Sequence, residues 1–204
     1  ANLLGDVVSR QGIRQLRLAE TQKFRHVTSF FNGKSTQPFP GEDQIEIPSE
    51  YDPATFASHP EMNAYDVRDK LLELMRDGSQ YGLLVVNFAN CDMVGHTGDM
   101  EAATKAVEVV DRCVGDCVKA LSEIEAEILV TADHGNVEEM LDPVTESLKT
   151  SHSINPVELI YIGTKASGLS LKSGGKLADI GPTILALMGL DVPGEMTAEP
   201  LIRP

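Results

Sequence analysis

From residue 63 onward, apolar positions fall into alternating helical and strand periods. Residues 63–76 repeat apolar side chains at helical spacing, with Val67, Leu71, Leu74 and Met75 on one face, so a helix is expected. Residues 82–89 (GLLVVNFA) are apolar without alternation, as a strand covered on both faces would be. Residues 100–121 place Ala103, Val107, Val110, Val114, Val118 and Leu121 along one stripe of a long helix. Two further apolar runs, 127–132 and 157–163, predict buried strands. A last helix is expected over 179–188, with Asp179 capping it, Pro182 in its first turn and Gly189 at its C-terminal end.

The first 60 residues are less regular. Residues 2–11 read as a short amphipathic helix carrying Leu3, Leu4, Val7 and Val8 on one stripe. Residues 13–19 read as a strand, 20–23 as a turn or the start of a short helix, and 26–31 as a second apolar β-type run closed by Asn32-Gly33. Residues 34–60 hold five of the eleven prolines and read as a long excursion with one small strand near Ile45–Ile47. Alternating strands and helices, with strands apolar on both faces, predict an α/β fold of three layers (α/β/α) around a central, mostly parallel sheet.

Composition narrows the partners. With 17 basic and 31 acidic residues the net charge is −14, which argues against nucleic acid and anionic membrane. A small anionic substrate remains open, because a bound dication reverses the local sign. No apolar run is long enough to span a bilayer, and the opening residues lack the pattern of a signal peptide. The missing initiator Met points to a chain that begins within a longer protein. Three cysteines without a paired framework fit a reducing, cytoplasmic setting. Cys113 and Cys117, four apart in a helical pattern, are expected as small buried apolar residues.

Candidate chemistry lies in the loops after the strands. Asp92 and His96 follow strand 82–89, Asp133 and His134 end strand 127–132, and His152 lies in the run Thr150-Ser-His152-Ser-Ile-Asn-Pro156. In open α/β sheets such loops gather at the carboxyl edge of the strands. The four-residue spacing of Asp92 and His96 lets one turn aim both at a single ion. Adjacent Asp133 and His134 can share an ion only if the strand breaks, and Gly135 is expected to supply the freedom. Carboxylate with imidazole suits Mn²⁺, Zn²⁺ or Fe²⁺ better than Ca²⁺. Two such ions about 3.5–4 Å apart would clamp the attacking and leaving oxygens of a phosphoryl group. Thr97, Thr131, Ser151 and Ser153 are the hydroxyls nearest these residues, and each is expected as a hydrogen-bonding loop residue rather than a nucleophile.

Several runs resemble a known family in order along the chain. They are residues 15–24 with His26-Val27-Thr28, Pro38-Phe-Pro-Gly-Glu-Asp43, Pro60-Glu-Met62, 87–98, Thr131 to Asn136, and Lys176 to Thr183. Together they resemble the cofactor-independent (2,3-bisphosphoglycerate-independent) phosphoglycerate mutases. The Asp–His runs alone identify only the wider alkaline phosphatase superfamily. Gln22 stands where a Glu is usual, and Ser151 and Ser153 where Ala and Thr are commoner; neither change removes a ligand.

The resemblance implies an alkaline phosphatase-like fold and a chain, 1–204, that covers the C-terminal portion of the metal-binding phosphatase domain. It implies that Asp92, His96 and His152 hold one divalent metal, that Asp133 and His134 hold part of a second, and that Lys23 contacts the substrate phosphoryl group. On sequence alone Lys23 is an ordinary surface lysine. Two Mn²⁺ ions are expected, with Zn²⁺, Fe²⁺, Co²⁺ or Mg²⁺ as alternatives. The implied reaction interconverts 3- and 2-phosphoglycerate through a phosphoserine. That serine, the second metal's remaining Asp and the substrate-binding domain are expected outside this chain. The expected partners are phosphoglycerate and the rest of the same enzyme, in a monomer. Alternative readings are a phosphopentomutase or metal-dependent phosphatase of the same superfamily, or a domain that holds metal without turnover.

Overall fold

The computed structural model describes residues 2–77, 80–142 and 144–203. Its centre is a parallel sheet of β1 (Gln15–Glu20), β2 (Glu42–Ile47) and β3 (Leu83–Asn87), in the order β2-β1-β3. Every residue of β1 is buried, because it has a strand on each side and helices on both faces. Leu16 and Leu18 pack against Val67 and Leu71 of α3 (Ala64–Arg76) and Cys117 of α5 (Met100–Glu123). On the other face, Leu4, Val7 and Val8 of α1 (Leu4–Arg10) form a cluster with Leu83 and with Leu185 of α6 (Ile180–Leu187). Helix, sheet, helix is the three-layer α/β arrangement that the alternation of elements predicts.

The remaining strands differ from expectation. β4 (Ile128–Thr131) and β5 (Leu159–Ile162) pair antiparallel in a separate two-stranded sheet. They are not buried throughout: Ile160 is 53% exposed. Apolarity of those runs therefore does not mean two covered faces in this chain. A small antiparallel pair, β6 (Ser170–Leu171) with β7 (Ile202–Arg203), follows.

The β-type run expected over 26–31 is helix and turn instead. α2 (Thr21–Val27) ends with Thr28 Oγ1 donating to the Phe24 carbonyl at 2.7 Å, and Asn32 N–H reaches the Thr28 carbonyl at 2.8 Å. Tertiary contacts hold that turn. Asn32 Nδ2 donates to both carboxylate oxygens of Glu42 at 2.8 and 3.0 Å, and Phe31 lies under the Arg17 guanidinium at 4.5 Å. Arg17 and Glu42 form a fully buried ion pair at 3.9 Å, with burial pulling the guanidinium down to about 10 against the opposing pull of Glu42. β2 also starts earlier than its apolar residues suggest, because Glu42 belongs to this buried polar group.

Two helical details depart as well. The buried seam of α5 is Ala102, Ala103, Ala106, Cys113 and Cys117, with Val107 turned outward at 44% exposure. Small residues let α5 approach α3 and α4 (Asn90–Gly95) closely, and burial pushes the Cys117 thiol up to about 12. Asp179 stands at the N-cap position of α6 as expected, but its side chain makes no capping bond to that helix. Its carboxylate accepts from Lys176 N–H at 2.8 Å and Glu199 N–H at 3.3 Å, closing the 3₁₀ turn that leads into the helix. Gly189, at φ 70°, ends α6 as expected. Among the described residues, no helix is long and apolar enough to cross a membrane. The expected span 1–204 includes Ala1, Gly78, Ser79, Pro143 and Pro204, which lie outside the described residues.

Candidate metal centre

Four segments deliver the expected residues to one place. Lys23 sits in the first turn of α2, directly after β1. Asp92 lies in the first turn of α4, which starts three residues beyond β3, and His96 follows its last turn. Asp133 and His134 come just after β4. His152 lies in the loop before β5, zipped alongside residue 135 by a bridge in which Ser153 N–H donates to the Gly135 carbonyl at 3.0 Å.

Asp92 is the hub. Its Oδ1 lies 2.9 Å from His152 Nε2 and 3.1 Å from His96 Nε2, and these two nitrogens are 3.2 Å apart. One ligand atom from each of Asp92, His96 and His152 lies within 4.8 Å of the others, so the three can converge on one cation. The donor chemistry fits as well as the spacing. His96 Nδ1 is 2.6 Å from the Thr150 carbonyl, which can only accept, so Nδ1 is the donor there and Nε2 is the nitrogen turned toward Asp92 and available to a metal.

Asp133 and His134 form the second group, with His134 Nε2 3.6 Å from Asp133 Oδ1 and 3.8 Å from Asp92 Oδ2. The His134 and His152 rings stack, their centroids 3.7 Å apart, so the two groups share a wall. Gly135 serves differently from expectation. Its φ is not positive; a Cβ there would collide with Ser153 Oγ and the Glu138 carboxylate. The residue is small so that the loop carrying His152 can lie against it.

Lys23 is no surface lysine. Its side chain is 3% exposed, and Nζ lies 2.8 Å from Asp92 Oδ2 and 3.4 Å from both Asp133 Oδ2 and His134 Nε2. An ammonium thus sits between the two ligand groups. Burial alone would raise the Asp92 pKa. Hydrogen bonds from Lys23 and Asn136, with the charges of Lys23 and His134, outweigh it and hold the carboxyl at about 2.

A pH prediction follows from that depression. A carboxyl that titrates at about 2 folded and ~3.9 unfolded contributes stability above pH ~4 and loses it as pH falls through about 2. The contribution is on the order of 2 kcal/mol. Urea midpoints of metal-free protein should fall steeply between pH ~4 and ~2, and Asp92→Asn should flatten that segment. A mutant curve that falls as steeply as the unmodified one would refute the assignment.

Three of the four candidate hydroxyls are engaged in hydrogen bonds. Thr97 Oγ1 donates to the Val94 carbonyl at 2.6 Å, Thr131 Oγ1 to the Glu158 carbonyl at 2.8 Å, and Ser153 Oγ to Glu138. Ser151 is exposed. One participant was not singled out from sequence: buried Asn136 donates from Nδ2 to Asp92 Oδ1 at 2.9 Å. The only cue was its place next to Gly135 in the Thr131 to Asn136 run.

The chain is similar to the 2,3-bisphosphoglycerate-independent phosphoglycerate mutases of Clostridium botulinum (52% identical over 202 residues) and Pseudomonas fluorescens (49% over 201 residues). These alignments cover 99% and 98% of this chain but 39% of each relative, so the chain spans about two-fifths of their length. The solved structure of Leishmania mexicana phosphoglycerate mutase at low cobalt concentration superposes with a TM-score of 0.85 at 28% identity, covering 98% of this chain and 39% of that one. A family model described as the Metalloenzyme superfamily matches residues 1–192, and the chain belongs to that superfamily.

Proposed function

We propose that this chain supplies most of the metal-binding half-site of a cofactor-independent phosphoglycerate mutase, which interconverts 3- and 2-phosphoglycerate. The observation that carries the reading is the convergence of Asp92, His96 and His152 on one point, with Lys23 beside it. Asp92, His96 and His152 would hold one divalent ion, and Asp133 and His134 would give two ligands to another. Mn²⁺ is the proposed ion, on the mixed oxygen and nitrogen donor set. Dications at such a site lower the pKa of a ligating hydroxyl and offset charge on a transferring phosphoryl group. Lys23 adds a compact positive charge at the same place, positioned by two carboxylates before substrate arrives. The nucleophilic serine, the rest of the second ligand set and the domain that holds the glycerate are assigned to the three-fifths of the relatives' length that this chain does not match. The proposed setting is the cytoplasm, in keeping with three free cysteines.

Two assays test this reading. The chain by itself should bind one Mn²⁺ more tightly than a second and show no turnover of 3-phosphoglycerate in the absence of bisphosphoglycerate. Two equally tight sites, or turnover by the chain alone, would contradict the division of ligands. A chimera in which this chain replaces the matching stretch of the Clostridium botulinum relative should turn over 3-phosphoglycerate with Mn²⁺. A folded, metal-loaded chimera without turnover overturns the proposal.

A further inference from the structure

We propose that Asn136 is a positioning residue that aims Asp92 at the metal, and that residue 95 is glycine so that Asn136 can reach it. This rests on the metal reading above. Asn136 is 4% exposed, and its Nδ2 donates to Asp92 Oδ1 at 2.9 Å and to the Asp92 carbonyl at 3.2 Å. Both acceptors lack a proton to give, so the amide must present its NH₂ to them. The amide oxygen is buried and has no partner among the described residues, so none of them holds the side chain by its other end. The two bonds into Asp92 are the polar engagement of this side chain.

Their effect is on rotation. A carboxylate turns easily about its last bond, because that torsion has broad wells. Lys23 at 2.8 Å holds Oδ2. Asn136 holds Oδ1 on the side where His96 Nε2 and His152 Nε2 lie, 3.1 and 2.9 Å away. With both oxygens assigned, the one that must join the imidazoles on a cation is already in place. Asn136 also lies two residues beyond His134, so it ties the loop after β4 to the helix carrying Asp92.

Gly95 completes the device. It is helical, without positive φ, so conformational freedom does not explain it. A helical glycine is unfavourable relative to alanine. A Cβ at this position would stand 2.8 Å from Asn136 Cγ and 2.9 Å from Val137 Cγ1, closer than such atoms pack. The space is used by the amide that reaches Asp92.

The test is Mn²⁺ titration by calorimetry of the unmodified chain, Asn136→Ala and Gly95→Ala, with Co²⁺ absorption reporting the geometry of the ligand set. Asn136→Ala should weaken the tighter site by about 10–100-fold, as removal of groups that orient metal ligands does, and alter the Co²⁺ spectrum. Gly95→Ala, which leaves both polar groups intact but displaces Asn136, should weaken the same site. A metal-free Asn136→Ala protein that loses thermal stability yet binds Mn²⁺ with unchanged affinity overturns the inference. If that variant does not fold, unchanged affinity in Gly95→Ala overturns it instead. An unmodified chain that binds no Mn²⁺ refutes the metal reading itself and removes the basis for this one. Binding by the unmodified chain with unaffected variants refutes only the role of Asn136.

Discussion

Asp92→Asn should weaken Mn²⁺ binding more than about 100-fold, beyond what loss of an orienting group causes. It should also destabilise the metal-free protein by about 3 kcal/mol, because one partner of a buried ion pair is removed. Both effects come from one carboxylate. Its Oδ1 faces two imidazole nitrogens and its Oδ2 is 2.8 Å from Lys23, an ammonium almost closed off from water. Asparagine keeps the shape but removes the charge, so the cation site loses its anionic member and Lys23 keeps only Asp133, at 3.4 Å. His152→Ala is the contrast. His152 is about half exposed and, among the described residues, pairs with no buried cation, so its loss should weaken Mn²⁺ while leaving metal-free stability nearly unchanged. Calorimetric titration and urea denaturation separate the two. Equal destabilisation by both variants would show that Asp92 is not the structural hub.

Lys23→Met should act with opposite signs on the two properties. Metal-free stability should fall by about 3 kcal/mol, since Asp92 and Asp133 lose the cation between them. The Asp92 carboxyl should rise from about 2 toward the ordinary carboxylate range, moving the acid-induced loss of stability to higher pH. Mn²⁺ binding should tighten, by about 10-fold or more, because an ammonium bonded to the same carboxylate at 2.8 Å would repel a dication held there. In the chimera, turnover should nonetheless drop by about 10²–10³, as expected when a donor to a developing anionic charge is lost. Tighter metal with slower turnover is a combination that simple damage to the site does not produce. Weaker Mn²⁺ binding in Lys23→Met would sink this account.

Sequence chemistry picked out five candidates that the structure brings together, three of them (Asp92, His96, His152) close enough to share one cation. The parallel-sheet rule accounts for Asp92 and His96, which follow β3, whereas Asp133 and His134 after β4 and His152 before β5 reach the same place from an antiparallel pair outside that sheet. Lys23 was not legible from chemistry, since nothing local distinguishes a buried lysine from an exposed one. Only the resemblance pointed to it, and its burial depends on Asp92 and Asp133, 69 and 110 residues away. Asn136 and the reason for Gly95 escaped for the same cause, being a contact between two loops that no periodicity records.

By itself, the sequence determined the helices with strong apolar stripes, the parallel α/β plan and the residue types able to hold a cation. These follow from short-range period and from side-chain chemistry, which any fold must respect. Tertiary structure decided the rest. It made residues 26–31 a helix end and turn, held through Asn32 and Arg17, against their β-type composition, and set β4 and β5 apart from the parallel sheet. It also buried Lys23 between two carboxylates. Each outcome depends on partners distant in the chain, whose packing and charge outweigh the local preference of the residues involved.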